Sequence, residues 1–196
     1  MNIEQIEIKL KELLPDDIFE NSIKVRDFCY NLARYHNCEP ERLAIAGLLH
    51  ECGKMYNSDE LISKAEDFDI PITEMVLTSP VEVLYGVIGA NIAQEIFNIN
   101  DNEIITSIKC HNYGANEMTL FTKLLFVASK FTKFVNNYSD EVLNIKDIAT
   151  KDIDHAVMLT FDLMLKNYIS EGLLINNQIV NSRNKMILSL KTESKM

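Results

Sequence analysis

Hydrophobic residues recur along almost the whole chain at spacings of three, four and seven, the spacing of one face of an α-helix. The clearest stripe, Ile18, Val25, Phe28 and Leu32, predicts a helix over about 17–37. Similar patterns predict further helices over about 40–53, 79–97, 100–111, 119–135 and 153–169. The pattern as a whole therefore predicts an all-α protein with about nine or ten helices.

Local signals support these helix boundaries. Pro40 falls in the first turn of one predicted helix, where a missing N–H costs nothing. Residues 79–82 (Ser-Pro-Val-Glu) form a capping box, and we expect Asn100 to cap the following helix. Gly172 is placed to end the helix that starts at about residue 153. With 6 Gly and 4 Pro in 196 residues, the chain is too poor in turn residues for a sheet protein.

Charge and composition exclude several classes of function. The net charge of −10 argues against binding to nucleic acid or to an anionic membrane surface, because both need a basic patch. It leaves room for a small phosphorylated ligand in a local pocket. Apolar runs such as 43–49 are too short to span a bilayer, and the polar, acidic start of the chain is not typical of a secretory signal. The 4 cysteines form no C-x-x-C pair, so we expect reduced thiols in the cytoplasm.

A histidine and a carboxylate, His50 and Glu51, stand side by side at the predicted end of an apolar helix. An imidazole next to a carboxylate is a suitable pair of ligands for a divalent metal, and Lys54 is placed to contact phosphate. His111 extends an apolar row at the end of another helix, and Asn21 interrupts the stripe of the first. Four polar side chains on inward helix faces are expected to converge on one cavity.

Each of these residues also has a simpler interpretation. A histidine on an apolar face is often a hydrogen-bonded core residue, and a buried asparagine often bridges polar groups. Glu51 could be paired with Lys54 alone. The residues taken one at a time therefore do not decide between a metal site and an ordinary polar core.

The order of several segments resembles the HD-domain phosphohydrolases, and within them the YqeK-like family. Segment 46–54 (Ala-Gly-Leu-Leu-His-Glu-Cys-Gly-Lys) is similar to the family's His-Asp segment, with glutamate in place of aspartate. Segment 109–114 (Lys-Cys-His-Asn-Tyr-Gly) is similar to its later His-Thr-Thr-Gly segment. Segments 116–120, 123–128 and 171–175 also fit, and the resemblance extends from Asn21 to about Asn184.

This resemblance implies a single all-α HD-type domain over 1–196, with an N-terminal helix over 1–16, a family-like core over 17–184 and a C-terminal tail over 185–196. Members of the family use a two-metal centre, generally iron, to split diadenosine tetraphosphate symmetrically into two ADP. The implied partners are thus a nucleotide or dinucleoside polyphosphate and a second copy of the chain. The sequence does not show which face a homodimer would use.

The resemblance also implies that the metal site is damaged. Of the family's six ligand positions, His50, Glu51 and His111 keep a suitable ligand type. The remaining three, two histidines and an aspartate in the family, are occupied here by Asn21, Tyr85 and Ser129. The family's arginine after the glycine is replaced by Ala115, whereas the candidate phosphate contact Lys54 is kept.

Three interpretations remain open. The chain could be an impaired relative that keeps the fold and a nucleotide or phosphate pocket without hydrolysis. It could be an active phosphohydrolase that splits diadenosine tetraphosphate with one iron or other divalent ion held by His50, Glu51 and His111, since three protein ligands plus water suffice for some catalytic metals. It could also be a helical scaffold with no ligand and no cofactor, in which Tyr85 and Ser129 only fill the core.

Overall fold

The structure is a computed structural model that describes residues 1–68, 70 and 80–193. In these residues it contains ten α-helices and no strand, which confirms the predicted all-α class. The helices are α1 Ile3–Leu13, α2 Asp16–Ala33, α3 Pro40–Leu49, α4 Ser58–Asp67, α5 Pro80–Glu95, α6 Asn102–Cys110, α7 Leu120–Phe134, α8 Ser139–Ala149, α9 Ile153–Ser170 and α10 Asn177–Glu193.

Side-chain caps explain where several helices begin. Thr119 caps α7 by accepting the N–H of Thr122 at 3.2 Å, as the predicted start near 119 requires. The cap of α6 is Asp101 and not the predicted Asn100, because the Asp101 carboxylate accepts the N–H groups of Glu103 and Ile104. The predicted capping box at 79–82 lies outside the residues whose side chains are described.

Two helices end earlier than their stripes predict. Helix α2 stops at Ala33 and not near residue 37, because i→i+3 hydrogen bonds replace the α-helical ones over the next residues. Helix α3 stops at Leu49, four residues before the predicted end at Gly53. A 3₁₀ turn over Cys52–Met55 follows it, with Glu51 as its N-cap residue.

Three helices lie in segments where no helix was individually predicted, namely α4, α8 and α10. Each is short or carries many polar residues, so its apolar stripe is narrow. Helix α10 continues through residue 185, and residues 185–193 of the expected C-terminal tail are therefore helical.

One apolar core runs through the described helices, with Phe97, Phe126 and Phe161 fully buried in it. Helix α2 packs along α3 and also contacts α7, while α5 packs against α6 and the 3₁₀ turn. Helices α2, α3, α5, α6 and α7 consequently surround one region of the molecule. Within the described part of the chain, no helix has both the length and the apolar character needed to cross a bilayer.

Candidate functional site

The seven residues singled out in the sequence line one cavity of about 340 Å³. They come from five helices or their ends and from the 3₁₀ turn. We call it the central cavity, and these residues are Asn21, His50, Glu51, Lys54, Tyr85, His111 and Ser129. The expected convergence of polar side chains from different helices is thus present.

The two histidines are held by the ends of their own helices. His50 is the C-cap residue of α3 and His111 that of α6. Each Nδ1–H donates to the backbone carbonyl three residues earlier, at 2.7 Å to Gly47 and at 2.6 Å to Ile108. The ring centroids are 5.1 Å apart and the rings are nearly perpendicular. Because a carbonyl only accepts, Nδ1 carries the proton and Nε2 of the neutral ring is the acceptor.

Both imidazoles are neutral in the folded protein near pH 7. Burial lowers the pKa of His111 well below its usual value of 6.5, and the positive charge of Lys130 adds to this effect. Burial also lowers the pKa of His50, against the opposing influence of Glu51. Their side chains therefore present lone pairs to the cavity and no positive charge.

The carboxylate of Glu51 is engaged on both of its oxygens. Oε2 accepts a hydrogen bond of 2.8 Å from the Asn21 amide, and Oε1 forms an ion pair with the Lys54 ammonium. Burial alone would raise the pKa of Glu51, but His50, the Lys54 charge and the two hydrogen bonds outweigh burial and lower this pKa to about 2. Glu51 is therefore ionised at neutral pH, and its charge is matched by Lys54.

Tyr85 and Ser129, which the resemblance places at two ligand positions of the family, make contacts that need no metal. Tyr85 places its ring 5.6 Å from the Lys54 ammonium, within the range of a cation–π contact. The Ser129 hydroxyl donates to the carbonyl of Phe126 at 2.9 Å, within its own helix. A serine bonded in this way is locally satisfied and brings no negative charge to the cavity.

Four further cavity residues were missed by the sequence reasoning, namely Asp17, Asn112, Lys130 and Lys133. Lys130 could have been noticed in the sequence, because it comes two residues after the apolar run 124–128 on α7. A lysine that continues a buried stripe needs a reason, since lysine is rarely buried. Here only 4% of Lys130 is exposed, and its ammonium lies 3.5 Å from the Asn112 side-chain oxygen.

The arrangement does not fit a two-metal centre. Among the described residues, no group of three or more His, Cys, Asp or Glu is placed to hold a metal ion. The physical reason is that Glu51 already binds Lys54 and Asn21, and Ser129 has no carboxylate to offer. The cavity also contains the buried cation Lys130, whose charge opposes that of a metal ion.

A family model described as "HD domain" matches residues 18–134, which is more than half of the chain. These residues contain α3, α5, α6 and α7 and all of α2 except its first two residues, and these five helices build the central cavity. The chain therefore belongs to the HD domain family.

Two curated relatives that carry the same enzyme name are similar to this chain. A protein of Staphylococcus aureus named symmetrical bis(5'-nucleosyl)-tetraphosphatase is 31% identical over 134 residues, which cover 65% of each chain. The chain thus spans slightly less than two thirds of this relative's length. A Bacillus subtilis protein of the same name is 22% identical over 158 residues, covering 81% of this chain and 83% of the relative.

A solved structure shares the fold. A predicted HD superfamily hydrolase from Clostridium acetobutylicum, described as involved in NAD metabolism, matches with a TM-score of 0.86. The match covers 96% of this chain and 98% of that one at 23% identity. The HD-type helical fold expected from the resemblance is confirmed.

Proposed function

We propose that this HD-domain protein binds the phosphates of a nucleotide or dinucleoside polyphosphate in the central cavity but hydrolyses them poorly or not at all. The relatives named as symmetrical tetraphosphatases suggest diadenosine tetraphosphate, or the ADP that its symmetrical cleavage releases, as the ligand. HD-domain hydrolases generally depend on divalent metals, so the proposal turns on whether this cavity can hold them.

The observation that carries the proposal is the state of Glu51. Two-metal hydrolysis needs carboxylates that bind the ions and ions that produce hydroxide at neutral pH. Glu51 is the one carboxylate kept at the family's ligand positions, and its oxygens are taken by Lys54 and Asn21. A metal would have to displace an ammonium from a largely buried carboxylate whose side chain is 13% exposed.

The size and charge of the cavity support a bound phosphate group. A volume of about 340 Å³ lies within the usual range for small-molecule sites. Three lysines line it against two carboxylates, in a protein whose net charge is −10. A locally positive cleft in an acidic protein is suited to concentrating a small anion.

Calorimetric titration of the purified protein with diadenosine tetraphosphate, combined with an assay of ADP release and a metal analysis, tests the proposal. We expect saturable binding, no stoichiometric iron, manganese or zinc, and no turnover above background. Stoichiometric metal together with ADP release that disappears in His50→Ala would overturn the proposed loss of hydrolysis. A complete absence of nucleotide binding would leave only the scaffold interpretation.

An active hydrolase is the second candidate, and the histidine pair favours it. Both Nδ1 atoms are anchored to backbone carbonyls, which is how metal-binding histidines are usually oriented. Under this candidate Glu51 would exchange Lys54 for a divalent ion that His50 and His111 also bind. The same metal analysis distinguishes the two candidates, with Glu51→Gln expected to abolish metal uptake only if the second is correct.

We also propose a cytoplasmic location and a homodimer. The 4 cysteines form no disulfide, which supports a reducing compartment. Sedimentation of the purified protein tests the homodimer, with a single species of twice the 22.5 kDa chain mass as the expected result.

A further inference from the structure

A second cleft lies between α2 and α8. Both helices pack against α7, and a space of about 520 Å³ remains between them. This volume lies within the usual range for small-molecule sites. We call the space the α2–α8 cleft, and its lining residues are Phe28, Asn31, Leu32, Arg34, Tyr35, Lys146 and Thr150. None of these seven residues lines the central cavity.

Two cations, Arg34 and Lys146, line the α2–α8 cleft from its two helices, and none of the seven lining residues is acidic. The Lys146 ammonium lies 5.8 Å from the centre of the Phe28 ring and 5.5 Å from that of Phe131, which positions its charge without neutralising it. Neither cation forms an ion pair with a residue that the structure describes. Asp147 directly follows Lys146 and therefore does not share its helix face.

Other negative groups near the cleft already have partners. Helices α2 and α8 end at Ala33 and Ala149, and helix C-terminal carbonyls carry partial negative charge. The carbonyl of Ala33 accepts the backbone N–H of His36 at 3.1 Å, and that of Ala149 accepts the ring Nε2–H of His36 at 2.7 Å. Asp27 is paired with Arg26. The two cations of the lining are therefore the charged groups most available to a ligand.

An exposed aromatic ring stands beside these charges. Tyr35 directly follows Arg34 and is 66% exposed. Leu32 is buried and, together with the partly buried Phe28, supplies an apolar surface. Planar bases stack on aromatic side chains with little regard to which base is present. A ring beside two cations is thus suited to a ligand that joins a planar base to a phosphate.

We infer that the α2–α8 cleft is a second binding site, separate from the central cavity, for a nucleoside phosphate. Arg34 and Lys146 hold the phosphates, and the planar fork of Arg34 matches the geometry of phosphate oxygens. Tyr35 stacks on the base. None of the seven lining residues is a histidine or a carboxylate that could act as a general base, so the site binds without hydrolysis. The inference goes beyond the proposed function, because it does not need the central cavity.

Titration calorimetry of the full chain with ADP tests the inference. We expect a class of sites that Arg34→Gln weakens at least about tenfold, as expected when a charge-assisted hydrogen bond to phosphate is lost. Arg34→Lys keeps the charge without the fork and should lose less affinity. Lys11→Gln removes an equal charge from an exposed position on α1 and should leave the affinity unchanged. Because Arg34 is exposed, thermal unfolding scans should show that its variants fold.

A probe without a base separates stacking from charge. Tyr35→Ala should weaken ADP binding at the cleft about tenfold but leave pyrophosphate binding there unchanged. Tyr35→Phe keeps a ring and should retain the affinity for both ligands. Equal weakening of ADP and pyrophosphate in Tyr35→Ala would overturn the stacking role of Tyr35.

A variant of the central cavity distinguishes the two sites. Glu51→Gln combined with Lys54→Gln removes both charges of the ion pair there and should leave the Arg34-dependent binding of ADP intact. Binding that this double variant abolishes and Arg34→Gln does not alter would overturn the inference and leave the proposed function standing. Binding lost only in Arg34→Gln supports the inference and counts against the proposed function. No binding of ADP or diadenosine tetraphosphate refutes both.

Discussion

The central cavity has two sides that differ in what holds their residues in place. On the histidine side, His50 and His111 donate to carbonyls of the helices that carry them. On the carboxylate side, Glu51 contacts Lys54 and Asn21, and Ser129 occupies the position that the resemblance assigns to a family aspartate. A capping imidazole is satisfied by its own helix, whereas a buried carboxylate needs a cation from elsewhere.

If the metal site has been lost as we propose, this difference explains which ligand positions were kept. A histidine anchored at a helix end remains neutral and stable without an ion, so losing the metal costs the fold little. A carboxylate without a metal becomes an unpaired buried charge, and either a lysine must neutralise it or a neutral residue must replace it. Under our proposal, Glu51 is an example of the first outcome and Ser129 of the second.

Restoring the family's ligands on the carboxylate side should give the largest change in metal binding and hydrolysis. We expect the combined variant Asn21→His, Glu51→Asp, Tyr85→His and Ser129→Asp to bind divalent metal stoichiometrically. It should also raise ADP release from diadenosine tetraphosphate at least about 100-fold, because both ions and their hydroxide become available. Metal analysis and a turnover assay provide the measurement. If the variant folds but binds no metal, the carboxylate side is not what separates this chain from hydrolytic relatives.

Removing the charge of Glu51 should have the next largest effect, a loss of folding stability. Glu51→Gln leaves Lys54 without its ion-pair partner and should lower the free energy of unfolding by about 2 kcal/mol. The matched control is Glu141→Gln, whose ion pair with Lys166 is exposed and whose loss should not measurably shift the unfolding midpoint. Urea unfolding at pH 7 measures both variants. Equal midpoints would contradict the claim that the largely buried ion pair of Glu51 stabilises the fold more than the exposed pair of Glu141.

Acidification should act on the histidine side first. Because the folded-state pKa values of His50 and His111 are lowered, the unfolded chain binds more protons below its own histidine pKa of 6.5. Stability should therefore fall as the pH drops below about 6.5, by at most about 1.4 kcal/mol per pH unit for each histidine. Glu51 adds a second loss between pH 4.5 and about 2, the interval between its unfolded and folded pKa values.

Urea unfolding from pH 8 to pH 5 measures the slope of this effect. His111→Gln should flatten the slope more than His50→Gln, because Glu51 favours the protonated form of His50 and partly offsets its burial. His155→Gln is the control, since His155 is exposed. A slope that none of these variants alters would show that the histidine side does not control the acid response.

The smallest effect is expected for Ser129. Ser129→Ala removes one hydrogen bond to the Phe126 carbonyl within α7 and should change the free energy of unfolding by less than about 1 kcal/mol. Thermal unfolding measures it. A loss several times larger would indicate that the serine hydroxyl holds the carboxylate side together, contrary to its local role.

The sequence predicted the all-α class because stripes such as that of α2 are long and regular. The seven cavity residues could also be identified from the sequence, because the resemblance assigns them to positions that lie close together in the family's fold. It did not predict the short, polar helices α4 and α8, where the apolar signal is weak. Lys130 was missed because the resemblance concerned the family's ligand positions, and a residue beside them depends on how α7 is rotated within the core.

The end of α3 is another feature that the sequence pattern could not predict. The inward orientation of Glu51 was predicted on the assumption that α3 continues through this residue, but α3 ends at Leu49. Glu51 reaches the cavity because the 3₁₀ turn redirects the chain, and this turn depends on tertiary contact between Gly53 and α5. Periodicity within one helix cannot report such a contact.

The backbone contacts around the cavity also have a practical consequence. A Cβ atom on Gly53 would lie 2.5 Å from the Tyr85 carbonyl oxygen, and one on Gly86 would lie 2.6 Å from that of Lys109. The 3₁₀ turn, α5 and α6 are therefore joined main chain to main chain, at positions where only glycine fits. Part of the cavity wall is thus held by main-chain contacts, and a side chain at either glycine would separate elements that carry Lys54, Tyr85 and His111.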